Sequence, residues 1–276
     1  MIHILTDSCA DLNQELLERH KIRSIPLQIF INDQNYYDGE LTSQELFSLV
    51  SQTGQLPKTS APSIQEFINF FTPADRGIFI GISSQLSATI HASRLAISEL
   101  TNQNIQIIDS LSLSTGIGML VLKAADLRDA GWDIDDIASE ITKTIPKIRT
   151  SFIIDTMDYL YKGGRCTALQ AIFGSMLKIR PVIEVRRDGT LGVKDKIRGR
   201  RNKALDSLLS DFQANLPNIN LKRVFVTCTD CHEDSKYLKE ELLKFAPIEE
   251  VLITTAGATI ASHCGPGTLG VIYSLN

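Results

Sequence analysis

The chain has 276 residues, 43% apolar and 22% charged, with a formal net charge of -4, the balance of a globular protein of one large or two ordinary domains with a sizeable core. That acidic balance argues against a nucleic-acid partner, because neutralising phosphates calls for a concentrated basic surface. No apolar run approaches the roughly 18 residues that span a bilayer, and MIHILTDSCADL lacks the charged head and long apolar middle of a signal peptide, so a cytoplasmic location without stable membrane insertion is expected.

In chain order, IHILTDS reads as a strand and turn, and DLNQELLERH as a helix. RSIPLQIFI is expected as one strand, LTSQELFSLVSQ as a helix with an N-cap pair, RGIFIGI as a strand and LSATIHASRLAISELT as a helix. NIQIIDS is the next strand. STGIGMLVLKAADLRDAG is a largely apolar helix ending at Gly131, a natural C′ glycine. Strands alternating with helices imply an α/β lobe over 1–150, with a mainly parallel sheet covered on both faces. In such sheets ligands gather at the carboxyl ends of the strands.

After IDDIASEITKTIPKIRTSFII the texture changes to MDYLYKGGRCT, an apolar AIFGSMLKIRPVIEV, the turn RRDGTLG and a basic KDKIRGRRNK. This predicts a second, α+β lobe over 151–276. It should hold a hairpin around Asp188 and Gly189, a helix from Asn202 to about Leu216, the strand KRVFVTC, a helix near DSKYLKEELLKF, and a final pair of strands, EEVLITTA and LGVIYSL. The cleft between the lobes is the expected binding place.

The stretch GISSQLSATIHAS, residues 81–93, is rich in hydroxyls. A serine nucleophile there would need a nearby base, and the Gly-x-Ser-x-Gly elbow is broken because Gln85 replaces the second glycine. The other readings are plain helix capping, or an anion site made of hydroxyls and free N–H groups at a helix start. KTSAPS, residues 58–63, offers Thr59 and Ser60 before another helix start. Thr6, Asp7, Ser8, Asp109 and Ser110 add small polar groups at strand ends.

YKGGRCT places two glycines beside Arg165, either as a turn with a solvated arginine or as part of an anion site. Lys196, Arg198, Arg200, Arg201 and Lys203 form either a charged face or a surface for phosphate or an acidic partner. In HCGPGTLG the glycines around Pro266 force a tight turn with exposed N–H groups, and His263 at its entrance can donate to an anion. CTDCH, residues 228–232, matches a haem-attachment pattern and the Cys-x-x-Cys of zinc and redox sites. Haem attachment needs export, and zinc needs a second ligand pair. The two cysteines therefore read as incidental to a strand end entering a helix, with neither metal nor cofactor expected. The remaining cysteines, Cys9, Cys166 and Cys264, make the total odd and fit a reducing compartment.

Taken together, TDS at the start, TSAPS at 59–63, ISSQLSAT at 82–89, IDS at 108–110, YLYKGGR at 159–165, MLKIRPVI at 176–183, KIR at 196–198 and HCGPGTLG near the end resemble the DegV family over essentially the whole chain. The resemblance implies a non-catalytic protein that binds one long-chain fatty acid between two lobes and presents it to a fatty acid kinase catalytic subunit, which converts the carboxylate to an acyl phosphate. It implies that Thr59, Ser60 and Ser87, with Ala88 and Thr89, hold the carboxylate. Arg165, Arg198, His263 and Gly267 would sit at the pocket mouth, for phosphate or kinase contact. The family's Ser-Gly-Thr is Ser87-Ala88-Thr89 here. Three segments, IQEFINFF, STGIGMLVL and LQAIFGSMLKI, are the candidate tunnel walls, with ordinary core as the alternative. The rival function is an enzyme acting on a phosphorylated sugar or small metabolite, whose site would be lined by polar groups.

Overall fold

The computed structural model describes residues 1–165 and 179–276, so Cys166 and the apolar stretch 169–178 lie outside the described residues. The chain opens with β1 (His3–Asp7), a single 3-10 turn and α1 (Gln14–Arg19), capped by the Asn13 side chain on the Leu16 N–H. The run expected as one strand from residue 23 to 31 is two. Pro26 has no N–H for a ladder; it separates β2 (Ile22–Ile25) from β3 (Gln28–Ile31), and the two enter different sheets. β3 turns through Asn32 and Asp33, both at positive φ, into β4 (Gln34–Tyr37), the geometry of a tight hairpin.

Reciprocal capping boxes start the next two helices: Thr42 with Glu45 opens α2 (Ser43–Thr53), and Ser63 with Glu66 opens α3 (Ile64–Phe71). Between them β5 (Lys58–Ser60) completes a small antiparallel sheet in the order β4-β3-β5. This strand was not expected from KTSAPS, because its three residues are too few to show a period of two. β6 (Arg76–Gly81), α4 (Thr89–Ser98) and β7 (Asn104–Asp109) finish a four-stranded, wholly parallel sheet ordered β2-β1-β6-β7.

α5 (Thr115–Asp129) and α6 (Ile134–Thr144) follow. Ten of the fifteen residues of α5 are buried, because it touches β1 and β6 of the parallel sheet on one side and the second large sheet on the other. A helix apolar all round belongs in such a place. Its core joins Ile78 and Ile80 to Phe225 and Ile272, and each such side chain withdrawn from water contributes roughly 1.5–3 kcal/mol. Thr115 Oγ1 meets Thr227 Oγ1 at 2.6 Å, so even its polar atom finds a partner across the interface.

The second large sheet begins with β8 (Ile148–Ile153). After α7 (Asp158–Lys162) come β9 (Ile179–Val185), β10 (Leu191–Arg198), α8 (Arg201–Asn215), β11 (Ile219–Cys228), α9 (His232–Phe245), β12 (Glu250–Thr255), α10 (Ala258–Cys264) and β13 (Leu269–Leu275). The six strands are ordered β10-β9-β8-β13-β11-β12, mostly antiparallel. The expected last strand pair is not a pair, since β11 lies between β12 and β13. α10, unforeseen in the sequence, makes the intervening crossover and packs against α2, α7, β3 and β5. The architecture is α/β, with a parallel sheet flanked by helices and a further mixed sheet.

The hairpin between β9 and β10 also ties the halves together. Gly189 sits at φ +82°, which a side chain rarely adopts, and its carbonyl accepts the Ser83 hydroxyl at 2.9 Å. A Cβ there would lie 2.3 Å from Ser83 Oγ, so the contact requires glycine.

Candidate functional site

A cavity of about 320 Å³ lies where β5, the loop after β6, β8, β11, α10 and β13 converge. Much of its wall is apolar, with Leu27, Ile82, Leu113, Phe152, Leu191 and Ile272 among the lining residues. Several polar side chains also line it. Thr59, placed by pairing of β5 with β3 opposite Ile29, has its hydroxyl 2.8 Å from His263 Nε2 on α10. Ser60 follows, with a looser 3.5 Å contact to Gln28 Oε1. The Arg165 guanidinium reaches back to the Gly163 carbonyl at 2.7 Å and to the Leu86 carbonyl at 3.2 Å, next to Ser87.

His263 is the strongly perturbed base of the cavity. Burial, reinforced by the Arg165 charge, pushes its pKa down to about 4, so the imidazole is neutral at pH 7. Its Nδ1 is buried and has no hydrogen-bond partner among the described residues, the kind of orphan that marks a ligand contact. Gly163 makes room for the ring: a Cβ at that position would lie 2.5 Å from Nδ1. A hydroxyl beside an imidazole suggests nucleophile and base, yet a working pair needs a third group to orient the imidazole. The unpartnered Nδ1 shows none here, and a base with so low a pKa takes up a proton poorly at neutral pH. The arrangement donates and accepts hydrogen bonds without being set up for attack.

The hydroxyls of residues 81–93 divide. Ser83 is fully buried and holds the Gly189 carbonyl and the Gln85 N–H. Ser84 is exposed, its N–H on Asp109. Ser87 lines the cavity with Ala88, and its hydroxyl contacts Thr89 Oγ1 at 2.8 Å. Thr89 is itself fully buried behind it, so it supports Ser87 rather than facing the cavity. His91 is exposed on α4, and α4 starts at Thr89 rather than Leu86. The expected helix start was early because Leu86 and Ser87 are held by turn bonds to the Ser83 carbonyl.

Of the nine residues singled out in the sequence, Thr59, Ser60, Ser87, Ala88, Arg165 and His263 line one cavity. Arg198 does not; it is an exposed residue at the end of β10. Gly267 lies against Asp155 and Arg201, outside the lining. Arg201 pairs there with Asp155 at 3.0 Å and Asp234 at 2.5 Å, so one member of the basic cluster is engaged in ion pairs. The strand-end groups Thr6, Asp7, Ser8, Asp109 and Ser110 are absent from the lining. Their oxygens hold loop backbone instead, as when Asp7 accepts the Cys9 and Ile82 N–H groups. The proposed tunnel stripes fare similarly. Phe67 and Phe71 of α3 pack on Phe79 in a separate core; STGIGMLVL gives the cavity Ser114 and buries the rest; and 169–178 lies outside the described residues. The walls come mainly from strand residues and loops such as Ile82, Leu113 and Leu191, which no single stripe could have revealed. Hydroxyls of Ser114, Thr150 and Thr227 on the wall were also missed, being indistinguishable in sequence from ordinary strand and cap residues.

A family model described as "Uncharacterised protein, DegV family" matches residues 1–276. The chain belongs to the DegV family. A DegV domain-containing protein of Caldanaerobacter subterraneus is 32% identical over 99% of this chain and 98% of its own. Among solved structures, a fatty-acid-binding DegV family protein from Thermus thermophilus is 30% identical, with a TM-score of 0.94 over 100% of this chain and 99% of that one. DegV of Bacillus subtilis, a fatty acid binding protein, is 28% identical, with a TM-score of 0.87 over 100% and 99% of the two chains.

Proposed function

We propose that this DegV protein binds a single long-chain fatty acid between an N-terminal lobe, 1–150, and a C-terminal lobe, 151–276, and has no covalent chemistry of its own. The observation that carries the reading is the continuity of a largely apolar cavity with the Thr59, Ser87, Arg165 and His263 group. Thr59, Ser60 and Ser87, assisted by Ala88 and Thr89, hold the carboxylate. The binding of fatty acids by the Thermus and Bacillus relatives supports this assignment.

The energetics divide the work. Burying a methylene is worth roughly 0.8 kcal/mol, so about 15 of them supply on the order of 12 kcal/mol before ordering costs. The hydroxyls and the neutral imidazole offset the desolvation of the carboxylate and fix its direction. Ser114, Thr227 and Thr229 of this wall are already engaged with Asp11, Thr115 and the Gly265 carbonyl, so a phosphorylated sugar would find few free partners there, which argues against the rival enzyme.

The carboxylate is then presented to a partner kinase, which converts it to an acyl phosphate in the cytoplasm. Arg165 and His263 face that group, while Arg198 and Gly267 contribute to the surface the kinase meets. Native followed by denaturing mass spectrometry of the purified protein tests the binding step. One fatty acid per chain, released on unfolding, is expected; a protein that carries none and refuses added fatty acid would refute it.

A further inference from the structure

One face of α10 lines the cavity through Thr259, Ile260, His263 and Cys264, and the two ends of the helix lie in different surroundings. At its start the Gly257 N–H donates to Asp11 Oδ1 at 2.8 Å, while the other Asp11 oxygen accepts the Ser114 hydroxyl at the entry to the buried α5. At its far end His263 packs against Gly163, just after α7. Thr259 therefore stands one turn inward of His263, about 6 Å along the axis. Its hydroxyl is the exception on this wall. Ser114 and Thr227 meet Asp11 and Thr115, Thr229 and Thr268 donate to the Gly265 and Cys264 carbonyls, and Thr59 and Ser87 meet His263 and Thr89. Even Ser60 and Thr150 have contacts, at 3.5 and 3.4 Å. Thr259 is 3% exposed, and its Oγ1 has no hydrogen-bond partner among the described residues. Its backbone N–H donates to Asp38 Oδ1 at 3.3 Å, and Oδ2 of the same carboxylate is likewise buried without a partner there. Buried polar groups left in this state are costly.

We infer that Thr259 is a second polar recognition point of the cavity, and that the preferred ligand is a fatty acid bearing a hydroxyl close to its carboxylate, a β-hydroxy fatty acid. This rests on the fatty-acid reading above and names the substrate class within it. Position selects the place of the hydroxyl. With the carboxylate held by Thr59, Ser87 and His263, a side chain one turn inward meets the first carbons of the ligand rather than its terminal methyl. Charge selects the chemistry. A second anionic group beside Thr259 would face the Asp38 carboxylate, whereas a hydroxyl is neutral and both donates and accepts, so it can satisfy Thr259 Oγ1 whichever way that group turns. A plain acyl chain leaves the Thr259 hydroxyl unpaired, and a site built to hydrogen-bond a ligand hydroxyl discriminates against the analogue that lacks it.

The test is calorimetric titration of the full chain, freed of lipid, with hexadecanoate, β-hydroxyhexadecanoate and ω-hydroxyhexadecanoate, the last carrying its hydroxyl at the far end of the chain. The β-hydroxy acid should bind about tenfold more tightly than hexadecanoate, the gain of one hydrogen bond, and the ω-hydroxy acid should bind most weakly, because its hydroxyl is carried into apolar wall. Thr259→Val keeps the shape and deletes the hydroxyl; it should abolish the preference for the β-hydroxy acid while leaving hexadecanoate affinity intact, and Thr259→Ser should retain the preference. Hexadecanoate bound as tightly as the β-hydroxy acid by the wild-type protein would overturn the inference and leave the fatty-acid reading standing, whereas failure of all three probes to bind would overturn both. A preference that survives Thr259→Val, with or without a loss of stability, would reduce Thr259 to a structural residue and refute its role. Thr259→Ala, expected to lose the preference in the same way, decides the matter should the valine variant fail to fold.

Discussion

The strand ends of the parallel sheet and the wall formed by β5 and α10 carry the same kinds of polar residue, but leave them in opposite states. At the strand ends Asp7 accepts two backbone N–H groups, Asp109 accepts those of Ser84 and Leu111, and Thr6 donates to the Ile80 carbonyl. These groups are occupied in shaping loops. On the opposite wall the Thr59 hydroxyl is shared with His263, whose second ring nitrogen has no partner among the described residues. Burial with satisfied hydrogen bonds makes structure; burial with capacity to spare makes a binding site.

Substitutions on the two sides should therefore fail differently. Asp7→Ala strands two buried N–H groups, and we expect it to lower unfolding stability by about 3 kcal/mol; a loss below about 1 kcal/mol in urea titrations would show that the strand ends are not fastened this way. The pH dependence points to the same residue. Burial raises Asp7 from 3.8 to about 7, so the folded protein keeps a proton that the unfolded chain releases. Its contribution makes stability fall as pH rises between those values and level off above them. Urea unfolding between pH 4 and pH 8 should show that fall weakened in Asp7→Asn, and identical slopes would contradict it.

On the binding wall, Gly163→Ala drives a methyl against His263 Nδ1 and the Tyr159 carbonyl, an overpacking that costs about 1–3 kcal/mol. Calorimetry of fatty acid binding should show weakened affinity, while an unchanged value would remove His263 from the site. Thr59→Val keeps shape and deletes one hydroxyl; about tenfold weaker binding is expected from one lost hydrogen bond, with most affinity surviving in the apolar contacts. Arg198→Ala lies at the small end of the series. It should leave fatty acid loading unchanged and slow carboxylate phosphorylation by the proposed partner kinase; equal loss of both would erase the division between cavity and surface.

Much of the alternation of β1, α1, β6, α4, β7 and α5 is readable in the sequence because each element is long enough to show its period or carries its own cap. β5 and α10 are not. Three residues of strand cannot display alternation, and the helix of α10 is short and adjoins the glycine-rich turn that dominated its reading. The split of residues 23–31 turns on one proline whose effect depends on which sheet each half joins. The site was readable as a set of short polar motifs, four of which bring six residues to one cavity, but motifs give no account of which oxygens the loops already occupy. Ser83 and Ser87 stand four residues apart in one hydroxyl-rich stretch, and only the approach of the Gly189 hairpin commits the first of them to structure.

What the residues determined alone was local: where strands and helices form, that the chain builds a parallel sheet, and that hydroxyls cluster near helix starts. Tertiary structure decided which of those hydroxyls remain available and which apolar residues face a cavity rather than a core. The physical reason is that periodicity and capping act within a few residues, whereas burial and hydrogen-bond satisfaction depend on what distant segments bring to the same place.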